Sequence, residues 1–174
     1  MNSQFGERTP EQRLDLRSLA LVLNADGHLS DADCKRLGKT AIGAVHPLVY
    51  ISEQKLADPS RDGRLLDMDA LLAWLGGRTG QAVYDIDPLK INVGEVSEVM
   101  SQAFAERHHI LAVEVNPDEV VIASAEPYLR AWESNLQHTL RKPIRRVLAD
   151  PRAIVRHSAE FYTMAGSVRS ARPF

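Results

Sequence analysis

The sequence predicts an α+β fold, in which a small helical unit (residues 1–83) precedes a compact α/β unit (residues 84–174) with a roughly three-stranded sheet covered by helices. Two observations support this. Before residue 84, apolar residues recur at helical spacing between polar connections. After it, helical and β-rich patterns alternate in the order helix, β-hairpin, helix, strand, helix. The boundary falls in residues 84–89, where Asp87 and Pro88 predict a turn.

The helical unit is predicted to contain three helices. Thr9 is placed to cap the first helix, and Ser30 caps a second helix that runs towards Gly43. Asp67 caps the third helix, which a glycine-rich segment ends. Residues 49–63 are polar and rich in turn-forming residues, so the sequence predicts a partly ordered connection there.

The α/β unit begins with a predicted core-forming segment. Leu89 and Ile91 are expected to enter the core, and Asn92 is expected to cap one continuous helix. The apolar residues of that helix recur at the i, i+3, i+4, i+7 spacing of a single buried face. They are Val93, Val96, Val99, Met100, Ala103 and Phe104.

The rest of the α/β unit predicts a hairpin, a strand and two helices. Ile110–Val115 and Val120–Ser124 are rich in β-forming residues and are joined by a proline-containing turn, which predicts a β-hairpin. Pro127 is expected to open a helix, residues 142–148 to form a short strand, and Asp150 to cap a final helix.

The composition is that of a globular protein. The 174 residues are 44% hydrophobic and 25% charged. No stretch approaches the roughly 20 apolar residues that span a bilayer, and the first residues do not resemble a secretory signal. The single cysteine, Cys34, rules out an internal disulfide and is expected to be a small buried side chain. These features favour a cytoplasmic protein.

Charge is distributed unevenly along the chain. Residues 86–139 carry a net charge of −6, whereas residues 140–174 carry eight basic and two acidic residues, a net charge of +6. The densest basic run contains Arg141, Lys142, Arg145 and Arg146. This run is either a solvated helix terminus or a surface that docks on an acidic protein or anionic lipid headgroups. Nucleic acid is not expected, because aromatic residues are not interleaved with the charges.

No motif predicts catalysis or a metal site. Gly38-Lys39-Thr40 resembles the end of a phosphate-binding loop, but Asp33 stands where that loop needs its first glycine. His108 and His109 are adjacent on a predicted extended segment and would point to opposite faces, so they would not bind one ion together. The sequence therefore predicts a non-catalytic protein without a metal.

Four segments, in this order and spacing, resemble the N-terminal domain of type II secretion and type IV pilus assembly ATPases. They are Ile86-Asp87-Pro88-Leu89-Lys90-Ile91, Ile110-Leu111-Ala112-Val113, Ile122-Ala123-Ser124-Ala125-Glu126-Pro127, and Glu160-Phe161-Tyr162 followed by Ser167-Val168-Arg169. The resemblance extends over residues 14–171 and is strongest after residue 84.

The resemblance implies a role in docking. In this family the N-terminal domain precedes a hexameric ATPase core and binds the cytoplasmic domain of an inner-membrane platform protein. The nucleotide-binding machinery would then lie downstream, in the ATPase core of a longer chain. This domain would be cytoplasmic and held at the inner membrane through its partner. The basic run would be the candidate docking surface.

The resemblance also implies an alternative, because some members of the family bind cyclic di-GMP through a motif that begins Arg-Leu-Gly. Arg36-Leu37-Gly38 matches that beginning, and Ala41-Ile42 follows at the expected distance. Val45 replaces the motif's glycine and Pro59 its closing glutamine. Arg36, Leu37 and Gly38 are therefore expected to be at most a remnant of such a site, and the alternative function is a cyclic di-GMP sensor.

Overall fold

The computed structural model describes residues 12–170, with side chains up to residue 167. The helices of the first half are α1 (Leu16–Ala25), α2 (Asp31–Gly38), α3 (Pro47–Glu53) and α4 (Met68–Thr79). Ser30 and Asp67 cap α2 and α4 as predicted, because their side-chain oxygens accept the N–H groups of Asp33 and Ala70. Within residues 12–170, none of the helices combines the length and apolar character needed to cross a membrane.

Two boundaries in the first half differ from the prediction. The expected cap Thr9 lies outside the described residues, and α1 begins at Leu16 after Asp15, whose carboxylate accepts the Ser18 N–H at 2.9 Å. The second helix ends at Gly38, because the following chain turns at residues 39–45 instead of continuing to Gly43.

The prediction of a partly ordered connection at residues 49–63 is wrong. Pro47 opens α3, and His46 caps that helix by accepting the Leu48 N–H at Nδ1. After α3, an isolated β-bridge pairs Ala57 with Leu65 and closes a compact loop. Because this segment is polar, the sequence did not predict its helix and its ordered loop.

The sheet has four strands instead of the expected three. They are β1 (Ala82–Val83), β2 (Ile110–Val115), β3 (Val120–Ser124) and β4 (Ile144–Leu148), arranged in the order β1-β4-β3-β2. The predicted hairpin is confirmed, because β2 and β3 pair antiparallel, whereas β4 lies parallel to both β3 and β1. The two residues of β1 precede the predicted boundary at residue 84. The division into units 1–83 and 84–174 stays a prediction.

Four helices of the described residues cover the sheet, and three of them differ from the prediction. The helices are α5 (Val93–Val96), α6 (Gln102–His108), α7 (Ala131–Leu140) and α8 (Pro151–Ser170). The single helix expected after Asn92 is broken in two, because Ser101 adopts an extended conformation and its hydroxyl caps α6 at Phe104. Pro127 lies in a turn, and α7 begins four residues later. The α+β fold class is nevertheless confirmed.

Apolar packing forms two clusters. One contains α1 to α4, and the other contains the sheet with the later helices. Leu148, at the end of β4, packs with the first cluster and so connects the two. Leu89 does not enter the core as expected. It is 96% exposed on a 3-10 turn at Pro88–Lys90, whereas Ile91 is buried as expected.

Candidate functional site

Two residues of the predicted docking run, the exposed Arg141 and the half-buried Lys142, form a corner between α7 and β4, which we call the basic corner. Arg141 ends α7 in the left-handed conformation, with φ of 55°, and its N–H donates to the Gln137 carbonyl. The Lys142 ammonium donates to the Asn116 carbonyl at 3.0 Å. Beside these residues lies an open depression of about 600 Å³, which His138 also lines.

Arg145 lies next to this corner but is engaged by acidic residues of the hairpin. Its Nε donates to Glu119 at 2.9 Å, and its Nη2 lies 3.8 Å from Glu114. Glu114 also accepts the Tyr84 hydroxyl at 3.3 Å. Burial, followed by the negative charge of Glu114, raises the pKa of Tyr84 above its usual range. The charge of Arg145 is therefore largely balanced within the fold.

Arg146 points to the opposite face of β4, as a strand requires, and is only 9% exposed. Its guanidinium donates to the Glu126 carbonyl at 3.1 Å and to the Glu133 carboxylate at 3.4 Å, and lies 4.9 Å from the ring centre of Trp132. The side chain joins β4 to α7 and to the end of β3. The docking role of the four basic residues stays a prediction, and only Arg141 and Lys142 line the depression.

The candidate cyclic di-GMP remnant lies in the last turn of α2. The Arg36 guanidinium donates to Asp33 at 3.1 Å, and its side chain is 59% exposed. Leu37 is buried in the helical cluster, and Gly38 is exposed. Of these three residues, only Arg36 has a charged side chain at the surface.

Hydrogen bonds between the two halves, centred on Glu126, were not anticipated from sequence. We call this contact the polar joint (Leu14, His46 and Glu126). Glu126 is 9% exposed, and its two carboxylate oxygens accept the Leu14 N–H at 2.9 Å and the His46 Nε2–H at 3.0 Å. Since His46 Nδ1 accepts the Leu48 N–H, the proton on the imidazole lies on Nε2. These bonds join residues that are 112 and 80 positions apart. No local pattern indicates them.

The joint lies beside an open groove of about 800 Å³, which we call the inter-half cleft. One wall comes from the residue 13–16 and 42–49 segments of the first half. The other comes from the residues directly after β3, the turn before α7, His109 at the end of α6, and the first two turns of α8. Its charged and titratable lining residues are Arg13, Asp15, His46, His109, Glu126, Arg152 and Arg156. The hydrogen bonds that Arg152 donates to the Asp150 carboxylate raise the pKa of Arg152.

Sequence comparison identifies relatives of this chain. The family model of the MshEN domain matches residues 79–168, about half of the chain. The type IV pilus assembly ATPase TfpB of Acinetobacter baylyi is 39% identical over 128 residues, which are 73% of this chain and 22% of that protein. The chain therefore spans about a fifth of the length of that relative.

Solved structures share the fold at low sequence identity. The N-terminal domain of XpsE matches with a TM-score of 0.53 and 13% identity over 85% of this chain and 97% of that domain. A structure described as MshE with cdg matches with a TM-score of 0.50 and 16% identity over 86% of this chain and all of that one. The chain belongs to the MshEN domain family of type II secretion and type IV pilus assembly ATPases.

Proposed function

We propose that this chain is the docking and regulatory N-terminal domain of a type II secretion or type IV pilus motor ATPase. It binds the cytoplasmic part of an inner-membrane platform protein, which holds it at the membrane from the cytoplasmic side. The ATPase core lies downstream in the full-length protein, and this domain is not itself catalytic. The observation that carries the proposal is the basic corner beside an open depression, in a chain of this family.

The geometry favours an acidic protein over a lipid surface as the ligand of the basic corner. Binding to anionic lipid relies on clusters of about four to eight Lys or Arg residues, each contributing about 1 kcal/mol. Here Arg145 is paired with hairpin glutamates and Arg146 is buried, so Arg141 and Lys142 are the members of the run that remain at the corner. A concave surface with two cations suits an acidic projection on a folded partner.

Replacing Arg141 by glutamate should weaken binding to the cytoplasmic domain of the cognate platform protein by about tenfold, or about 1.4 kcal/mol, because an attraction becomes a repulsion. Calorimetric titration at low and high ionic strength measures this, and the wild-type affinity should fall as salt rises. The matched control is Arg64→Glu, an exposed arginine in the first half.

Two results would contradict the proposal at different levels. If the folded wild-type domain shows no saturable binding, docking itself is wrong. If Arg141→Glu and Lys142→Glu both bind as tightly as Arg64→Glu, docking stands but does not use the basic corner.

A second candidate function, cyclic di-GMP binding, is supported by the shared fold with the structure described as MshE with cdg. The exposed Arg36 at the end of α2 could contact a phosphate, since its guanidinium retains donors beyond its bond to Asp33. Titration with cyclic di-GMP should then give binding that Arg36→Ala weakens about tenfold. Lys39→Ala is the control variant. If calorimetric titration shows no heat of binding at millimolar cyclic di-GMP, this second function is wrong.

A further inference from the structure

We infer that the inter-half cleft is a docking groove for an acidic amphipathic helix of a partner protein. The cleft shares no lining residue with the depression at the basic corner, so the inference does not depend on the proposed docking there. Three features of the cleft support the inference. Apolar side chains are exposed on its walls, its arginines keep N–H donors that internal hydrogen bonds do not use, and its walls present side chains instead of a strand edge.

Large apolar side chains are exposed on both walls of the cleft. Val45 is 46% exposed on the first-half wall, and Val155 is 64% exposed on α8. Ile42, Leu129 and Ile154 line the cleft with them. Removing this apolar surface of both walls from water favours the binding of a ligand. The occupant therefore needs an apolar face.

The acidic groups of the cleft are few, and they are wholly or partly occupied by internal hydrogen bonds. The Asp15 carboxylate accepts the Ser18 N–H at the start of α1. Both oxygens of Glu126 accept internal donors, one from Leu14 and one from His46. Glu126 therefore offers little to a basic ligand, and the one remaining oxygen of Asp15 is outweighed by the three arginines that line the cleft.

The arginines of the cleft, in contrast, keep unused donors. Arg152 donates to Asp150 through Nε and Nη2, and Arg156 donates to Glu160 through Nε alone. Each guanidinium has five N–H groups, so within the described residues Nη1 of Arg152 and both terminal nitrogens of Arg156 remain available. Arg13 makes no ion pair within residues 12–170. An occupant with carboxylates beside its apolar face complements these donors.

The walls favour a helix over an extended segment. An extended peptide gains affinity by pairing its backbone with a strand edge. Among the residues that the structure describes, none of those lining the cleft belongs to a strand of the sheet. The walls are the α8 surface, the segment between β3 and α7, His109 and two first-half segments. A helix satisfies its own backbone groups and presents side chains only, which suits such a groove.

The test uses a fluorescein-labelled synthetic peptide with leucines at the i, i+3, i+4 and i+7 positions and glutamates on both flanks. Fluorescence anisotropy should show saturable binding that weakens with added salt. Val155→Ser and Arg156→Gln should each weaken it by at least about threefold. Met164→Ser is the matched apolar control, because Met164 is 53% exposed on the same helix but does not line the cleft.

The outcomes separate cleft docking from nonspecific attraction. Equal binding of a scrambled peptide, or of a peptide with lysines in place of the glutamates, would overturn the inference. So would an absence of binding, or Val155→Ser and Arg156→Gln variants that bind like Met164→Ser. Displacement of the peptide by cyclic di-GMP would assign the cleft to that dinucleotide and also overturn it.

Discussion

Replacing Asp58 by asparagine should lower the free energy of unfolding by about 2 kcal/mol at neutral pH. The Asp58 side chain is fully buried in the loop after α3. Its carboxylate accepts hydrogen bonds from the Ser60 N–H at 2.9 Å and the Ser60 hydroxyl at 2.6 Å. It also accepts the Arg61 Nε–H at 3.0 Å and the His28 Nδ1–H at 3.1 Å. Asparagine keeps the shape but loses the charge that strengthens these bonds.

The effect of Asp58→Asn should depend on pH. Burial alone would raise the pKa of Asp58, but the hydrogen bonds from Ser60, Arg61 and His28 outweigh it and lower the pKa to about 2. The unfolded chain has a pKa near 3.9. Because the folded pKa is the lower one, this stabilisation is present above pH of about 4 and is lost as pH falls towards about 2.

Urea denaturation of both proteins across that pH range measures the difference. The difference in free energy of unfolding between wild type and Asp58→Asn should be largest at neutral pH and should vanish near pH of about 2. Asp62→Asn, at an exposed aspartate of the same loop, should leave stability unchanged. If this difference in stability stays constant with pH, Asp58 stabilises the fold through its shape and not through its charge.

The parts of the fold that sequence could predict are those set by neighbouring residues. Ser30 and Asp67 cap helices because a cap needs only an N–H group three residues further along the chain. The β2–β3 hairpin follows from two β-rich runs joined by a short turn. Burial of Cys34 was also predicted correctly. In each case the information lies within a few residues.

The parts that sequence could not predict depend on distant partners. The sequence predicted no helix starting at His46-Pro47, yet α3 begins there, and the His46 ring donates to Glu126 across the molecule. Arg146 was grouped with the docking residues because nothing local distinguishes it from Arg145. Its burial follows from Trp132 and Glu133 on α7, which strand periodicity does not reveal. Leu89 was expected in the core because sequence cannot show that a capped turn projects it outward.

Replacing Glu126 by alanine should produce the largest loss of stability that we predict, about 3 kcal/mol. The change leaves the Leu14 N–H and the His46 Nε2–H without their acceptor at a part-buried joint. The control is Glu119→Ala, which removes an exposed ion pair with Arg145 and should reduce stability by less than about 1 kcal/mol. Urea denaturation of the two variants gives the comparison.

Hydrogen exchange distinguishes loss of the joint from general loosening. In Glu126→Ala the Leu14 amide should exchange faster, whereas the Leu48 amide should stay protected, because His46 Nδ1 still accepts it. In His46→Ala the pattern should reverse, since Glu126 still accepts the Leu14 N–H but the cap of α3 is gone. The double variant should then measure a coupling of about 1 kcal/mol between the two side chains. Equal acceleration at both amides in both single variants would mean that the halves separate as a whole, and that Glu126 does not act through these two bonds.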